Sequence, residues 1–210
     1  MRDFVIAHGM FARLHNCHPT VSAFNLLLAT AESSAGRIIF AGSLEEPDET
    51  NLVPCSPYAA TKGAASAYAR MFHALYQTEV VIARISMAYG PGQTDYTKLV
   101  PYATVALLRG EKPRLSSGHR LIDWIYVDDV VDGLISAQSR EANGQTIELV
   151  SGDVCSIRDI VQQLRELIPG SPEPVFGAWP DRPFERLGKA NVTKSLDLIG
   201  WRPATELVVR

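Results

Sequence analysis

Short β-branched runs alternate with stretches of helical period along the whole chain, and few folds admit that alternation. "FVIA" (4–7), "RIIFAGS" (37–43), "EVVIARISM" (79–87) and "TIELV" (146–150) read as strands, and their nearly continuous apolar character marks them as buried on both faces. Pro19 to Ala31, Tyr58 to Tyr76, 98–109 and 128–138 read as helices between them, with further helices expected over 157–168 and 192–199. Strand and helix in alternation predict an α/β fold with a parallel sheet and helices on both faces. "LEEPDETNLVPCSP" (44–57) and "YGPGQ" (89–93) interrupt the pattern as loops, and the chain beyond 169 is rich in proline.

Size and charge exclude several functions. A chain of 210 residues with 20 basic and 23 acidic side chains suits one globular domain, or one with a small appendage. No cluster of Lys and Arg stands out, so no nucleic-acid partner is expected. The longest apolar runs, such as Leu26 to Ala29, are far too short to span a bilayer, so no membrane partner is expected. The absence of a signal-peptide pattern and three widely spaced cysteines (Cys17, Cys55, Cys155), read as free thiols, point to a cytoplasmic protein. "HNCH" brings His15, Cys17 and His18 together, but three local ligands at that spacing fit no zinc pattern, and no metal is expected.

Chemistry concentrates in "SPYAATKGAAS" (56–66). Tyr58 and Lys62 stand four apart, which on a helix puts both on one face. An ammonium there stabilises a phenolate and lowers the phenol's pKa from about 10 toward neutrality, where it gives or takes a proton. Ser43, at the end of "RIIFAGS", is placed to share the substrate's oxygen, and Glu45, close behind it with Glu46, is a candidate second acid/base. The Tyr-x-x-x-Lys spacing is common on helices by itself. The strand ending in Ser, the loop and the Ser-Pro-Tyr opening of a helix give it its meaning. Asp128 and Asp129 read as a helix N-cap and a first-turn acid. Trp124, Tyr126 and Trp201 read as core, His73 as a helix residue and His119 as part of a substrate-side loop.

These segments, together with "RISMAYGPGQ", "LVPYATVALLRGEKP", "DWIYVDDVVDGLISA" and "DRPFERLGKANVTKSLDLIGWRP", resemble the extended short-chain dehydrogenases/reductases. That is the NAD-dependent epimerase/dehydratase group, which acts mostly on sugar nucleotides. The resemblance runs in order over nearly the whole chain. It implies a Rossmann-like core (1–87 with 128–150) and a smaller substrate-binding lobe (88–127 and 151–210). It also implies Ser43, Tyr58 and Lys62 as the catalytic group: Tyr58 as acid/base, Ser43 on the reacting oxygen, Lys62 tuning Tyr58 and holding the ribose if NAD binds.

Departures from the family's pattern shape the expected function. No G-x-x-G-x-x-G is present, and "RDFVIAHG" resembles the family's fourth strand, so the chain is expected to be truncated, without three βα units. Pro19, Met87 and Ile122 stand where the family usually has Asn, Asn and Arg; Leu44 replaces the dehydratases' Asp while Glu45 remains, and Arg182 matches a diphosphate-contacting Arg. Met87, Tyr89, Lys98, Ile122 and Arg182 are the candidate substrate contacts. The leading expectation is therefore an NAD(P)-independent enzyme. It would use Ser43, Tyr58 and Lys62, with Glu45, for redox-neutral isomerisation, elimination, cyclisation or rearrangement of a small natural-product-type molecule, with no cofactor. The alternative is an NAD(P)-dependent sugar-nucleotide epimerase or dehydratase whose N-terminal half is supplied by another chain or lies outside this sequence. A third reading is a non-catalytic binding protein on the same scaffold. A bare "FVIA" edge would invite pairing, so a homodimer is expected.

Overall fold

A computed structural model describes residues 4–8, 19–33, 36–49, 52–182 and 192–207. Along the chain run β1 (Phe4–His8), α1 (Pro19–Ala31), β2 (Arg37–Ser43), α2 (Pro57–Tyr76), β3 (Val80–Ile85), β4 (Met87–Tyr89) and α3 (Leu99–Leu108). They are followed by β5 (Leu121–Tyr126), α4 (Val127–Ser136), β6 (Thr146–Leu149), β7 (Val154–Ser156), α5 (Ile157–Leu167) and α6 (Val192–Ile199). The main sheet has the order β1-β2-β3-β6, with every pair parallel. In it Ile39 lies beside Val81, and Ala83 beside Ile147. Among the described residues β1 is the outermost strand on its side.

Both faces of this sheet are covered, as its continuous apolar runs require. Ile38 and Phe40 of β2 and Val80 and Ile82 of β3 pack with Leu27 of α1 and Ala69 and Phe72 of α2. Ile39, Val81 and Ala83, one residue out of phase, face the other way onto Val130, Ile147, Leu149 and Trp201. Phe24 sets its ring edge-on to Tyr68 and Phe72, with centroids 5.4 and 5.7 Å apart.

The run expected as one strand over 79–87 breaks at Ser86. Its amide donates to the Leu149 carbonyl, 3.1 Å away, and the next residue, Met87, pairs with Trp124 in a second sheet of order β4-β5-β7. The β5 and β7 strands were not among the expected elements: Asp123 interrupts the apolar run of β5, and β7 is only three residues long. Asp123 is buried because it closes a turn, accepting the amides of Ser151 and Gly152 at 2.8 and 2.7 Å. Residues 192–201, expected with the lobe, pack on the main sheet instead. Ser195 Oγ donates to the Glu148 carbonyl and accepts the Glu148 amide, and Trp201 is buried in the core. Asp128 is not the N-cap of α4, a place Tyr126 takes, so it stands inside the first turn. Asp129 is the expected first-turn acid, and its buried carboxylate also accepts the amides of Ala204 and Thr205 and anchors the C-terminal segment.

His15, Cys17 and His18 lie outside the described residues, among which no group of His, Cys, Asp or Glu is placed to hold a metal. No described helix is long and apolar enough to cross a membrane. Phe72 is 2% exposed and joins α1, α2 and the sheet. Phe72→Ala should cost about 3–5 kcal/mol of stability, read as a lower urea midpoint with an unchanged slope.

Candidate active site

The site grows from the join between β2 and α2. Ser43 is the last residue of β2, and the chain turns back on itself at once: the Glu46 amide donates to the Ser43 carbonyl at 3.1 Å. The Ser43 amide donates in turn to Glu46 Oε1 at 2.7 Å, which carries the Glu46 carboxylate inward to 3% exposure. Two glycines make room. A Cβ on Gly42 would stand 2.6 Å from Glu46 Oε1, and one on Gly63 would stand 2.9 Å from Pro47 Cδ. Arg84 of β3, beside Gly42, grips the turn from below. Its Nε donates to the Ser43 carbonyl at 3.2 Å and its Nη2 to the Glu46 carbonyl at 3.0 Å, while Nη1 faces Glu148 at 3.6 Å.

Ser56 then caps α2, its Oγ accepting the Ala59 amide at 3.1 Å, and Pro57 fills the first helical turn, where its missing amide hydrogen costs nothing. That start fixes the phase of the helix. Tyr58 points its phenol at Ser43, and the two side chains are hydrogen-bonded. Ser43 Oγ also accepts the Glu45 amide at 3.2 Å. One turn on, Lys62 is 8% exposed and donates from Nζ to the Ala41 carbonyl at 2.6 Å, with its ammonium 5.8 Å from the Tyr58 ring centre. The structure thus gathers Ser43, Glu45, Tyr58 and Lys62 in one place.

Its electrostatics run opposite to the expectation drawn from the spacing. Burial raises the Tyr58 phenol above its ordinary value, with the charges of Glu45 and Glu46 adding to the rise and only the hydrogen bond from Ser43 working against it. Burial also lowers the Lys62 ammonium, with Glu46 opposing. At neutral pH Tyr58 is therefore a protonated donor, and Lys62 directs its hydrogen bond to Ala41 while Glu46 faces its charge.

The five candidate substrate contacts divide. Met87, Tyr89 and Ile122 fall in one apolar cluster at the small sheet with Trp124, Cys155 and Ile160. Ile122 is 9% exposed, and Tyr89 stacks edge-on against Tyr126 at 5.6 Å. Burial pushes the Cys155 thiol there up to about 11. Lys98 stands at the start of α3, and Arg182 is exposed beside Asp181, whose carboxylate accepts the Ser117 amide. Two arginines absent from the sequence expectations reach the site: Arg84, a charge inside an otherwise apolar strand, and Arg120, whose Nη2 donates to Glu45 Oε1 at 2.9 Å.

Residues 17–151 match the model of the NAD dependent epimerase/dehydratase family. A dTDP-L-rhamnose 4-epimerase of Burkholderia thailandensis is 32% identical over 76% of the chain and 45% of its own length. A dTDP-glucose 4,6-dehydratase of Xanthomonas campestris is 29% identical over 87% of the chain and 54% of its own. Among solved structures, UDP-glucose 4-epimerase of Thermotoga maritima with UDP-glucose superposes with a TM-score of 0.80 at 25% identity, over 89% of the chain and 64% of its own. The chain thus spans about half the length of these sequence relatives.

The Arg84 fork supports the turn in a way a lysine cannot copy. Arg84→Lys should lower stability by about 1–3 kcal/mol in urea unfolding followed by tryptophan fluorescence.

Proposed function

The chain belongs to the NAD dependent epimerase/dehydratase family, and from that premise we propose that it carries the acid/base and substrate-side part of an NAD-dependent enzyme acting on a sugar nucleotide. The observation that carries this reading is the Tyr58 phenol hydrogen-bonded to Ser43, with Lys62 one helical turn beyond. Two hydroxyls converge where a single substrate oxygen can be held. The raised phenol stays protonated at neutral pH, so Tyr58 faces the substrate oxygen as a hydrogen-bond donor and proton source. Taking a proton requires a cation beside the phenolate, and the Lys62 ammonium is the one on the same helix face. Leu44, in place of the dehydratases' Asp, leaves elimination without one of its two acids and favours an epimerase-type reaction.

The donor chemistry fits one end of NAD: Tyr58 and Lys62 suit the nicotinamide ribose. For the pyrophosphate end, the fifteen glycines of the sequence include no G-x-x-G-x-x-G. When bound, NAD supplies the hydride acceptor and donor. Tyr58 and Ser43 hold the substrate oxygen and move its proton. The cofactor-free, redox-neutral reaction has less behind it, because the matching family and the relatives above are epimerases and dehydratases of the NAD-dependent group.

Two measurements test the proposal. Calorimetry of NAD and NADH on the purified chain, which lacks the pyrophosphate motif, should give binding weaker than micromolar, and turnover by the chain with no NAD present would return the redox-neutral reading. Turnover of UDP- or dTDP-hexoses, followed by NMR of the sugar, should fall at least about 100-fold in Tyr58→Phe. Undiminished turnover in that variant would remove Tyr58 from the mechanism.

A further inference from the structure

The four residues gathered at the site all come from β2, the turn after it and α2. One side chain reaches them from the lobe. Arg120 stands immediately before β5, in the small sheet, and its guanidinium crosses to the turn after β2, where Nη2 meets Glu45 Oε1 at 2.9 Å. The pair is well shielded, with 15% of the arginine side chain and 24% of the glutamate exposed. Shielding lets it act on its neighbours far more strongly than a surface pair would. Glu45 is itself one bond from the reacting hydroxyls, its amide donating to Ser43 Oγ.

We propose that Arg120 is a positioning residue of this site: from the lobe it holds the Glu45 carboxylate beside Ser43 and Tyr58 and supplies the counter-charge that limits how much of Glu45's negative potential Tyr58 feels. Seating the lobe against the sheet then sets the acid strength of the phenol. Among the described residues, Tyr58 faces Glu45 and Glu46 on the turn and Lys62 on its own helix, and behind the turn stand Arg84 from β3 with Glu148 from β6, and Arg120 from the lobe. Of these, Glu45 and Glu46 raise the phenol, and Arg120 is hydrogen-bonded to the first. Without the guanidinium, Glu45 presents its full charge to Tyr58. The role of Tyr58 as acid/base rests on the function proposed above, while the coupling itself does not, and the test reads it without turnover.

The experiment titrates the phenol directly. The full chain is labelled with fluorotyrosine, whose lower pKa brings the titration into a milder range, and the Tyr58 fluorine signal is assigned by its loss in Tyr58→Phe. Arg120→Gln should move the Tyr58 midpoint up by about 0.5–1 pH unit, Glu45→Gln should move it down, and Arg120→Lys should stay near the parent. In a Glu45→Gln background, Arg120→Gln should have almost no effect. An unmoved midpoint in Arg120→Gln, or an equal shift with and without Glu45, overturns the proposal. If Arg120→Gln does not fold, Arg120→Lys and Glu45→Gln still decide: a midpoint that stays put in Glu45→Gln, or that rises in Arg120→Lys as far as a neutral side chain would raise it, also overturns the proposal. Loss of turnover in Tyr58→Phe without these shifts would keep the enzyme reading and discard the arginine's part in it.

Discussion

Everything at the site depends on whether five residues of backbone can lie flat between a strand and a helix. The turn from Ser43 to Pro47 must approach β2 closely enough for Glu46 to reach the Ser43 amide, and α2 closely enough for Tyr58 to reach Ser43. Side chains at 42 or 63 would prop those surfaces apart, because a single Cβ already collides with Glu46 or Pro47. Glycine inside a helix costs about 0.5–1 kcal/mol relative to alanine, so Gly63 is a loss to α2 taken for contact. Arg84 completes the arrangement from the strand side. Three carbonyls of one turn point at one guanidinium, since Leu44 joins Ser43 and Glu46 at 3.4 Å. Backbone oxygens crowded this way need a donor of that shape, and a planar fork supplies it.

The same turn explains why the phenol's acidity runs against the simple reading of its spacing. A lysine one turn along a helix lowers a tyrosine's pKa when its charge is spent on the phenolate. Here Lys62 directs a hydrogen bond to the Ala41 carbonyl and faces Glu46, and the turn that buries Glu46 also sets two carboxylates where Tyr58 feels them. Burial then acts on both members of the pair in the direction that favours neutral forms. The result is a phenol that holds its proton and an ammonium that holds its own less tightly.

What could be read from the sequence was what is local in it. Strand β2, helices α1, α3 and α6 and the main sheet's parallel character follow from runs of one residue type, and they lie where those runs put them. Ser43, Tyr58 and Lys62 were legible for the same reason, since a strand end and a helical spacing are visible without knowing the fold. The rest depends on distance along the chain. Arg84 and Arg120 meet their partners across 41 and 75 residues, and no spacing rule reports that. Strand β5 hid behind Asp123, whose charge looks wrong for a buried strand until Ser151 and Gly152 are seen to pair with it. The small sheet, and the placement of residues 192–201 against β6 and not in the lobe, are tertiary facts of the same kind.

One further property follows from where the pieces come from. Ser43, Glu45, Glu46, Tyr58, Lys62 and Arg84 all fall within the single stretch from β2 to β3, a strand–helix–strand unit whose two strands pair side by side. Its acid/base geometry is therefore set by contacts internal to the unit: the turn, the cap at Ser56 and the fork of Arg84. The strands of the small sheet carry Met87, Tyr89 and Ile122, packed in one apolar cluster, and the residue before β5 is Arg120. A division of this kind separates two demands that conflict in one rigid site. Ser43, Tyr58 and Lys62 are fixed by short-range packing, while Met87, Tyr89 and Ile122 sit on different strands. The guanidinium that crosses from one to the other is then the place where a change in the lobe is felt by the chemistry.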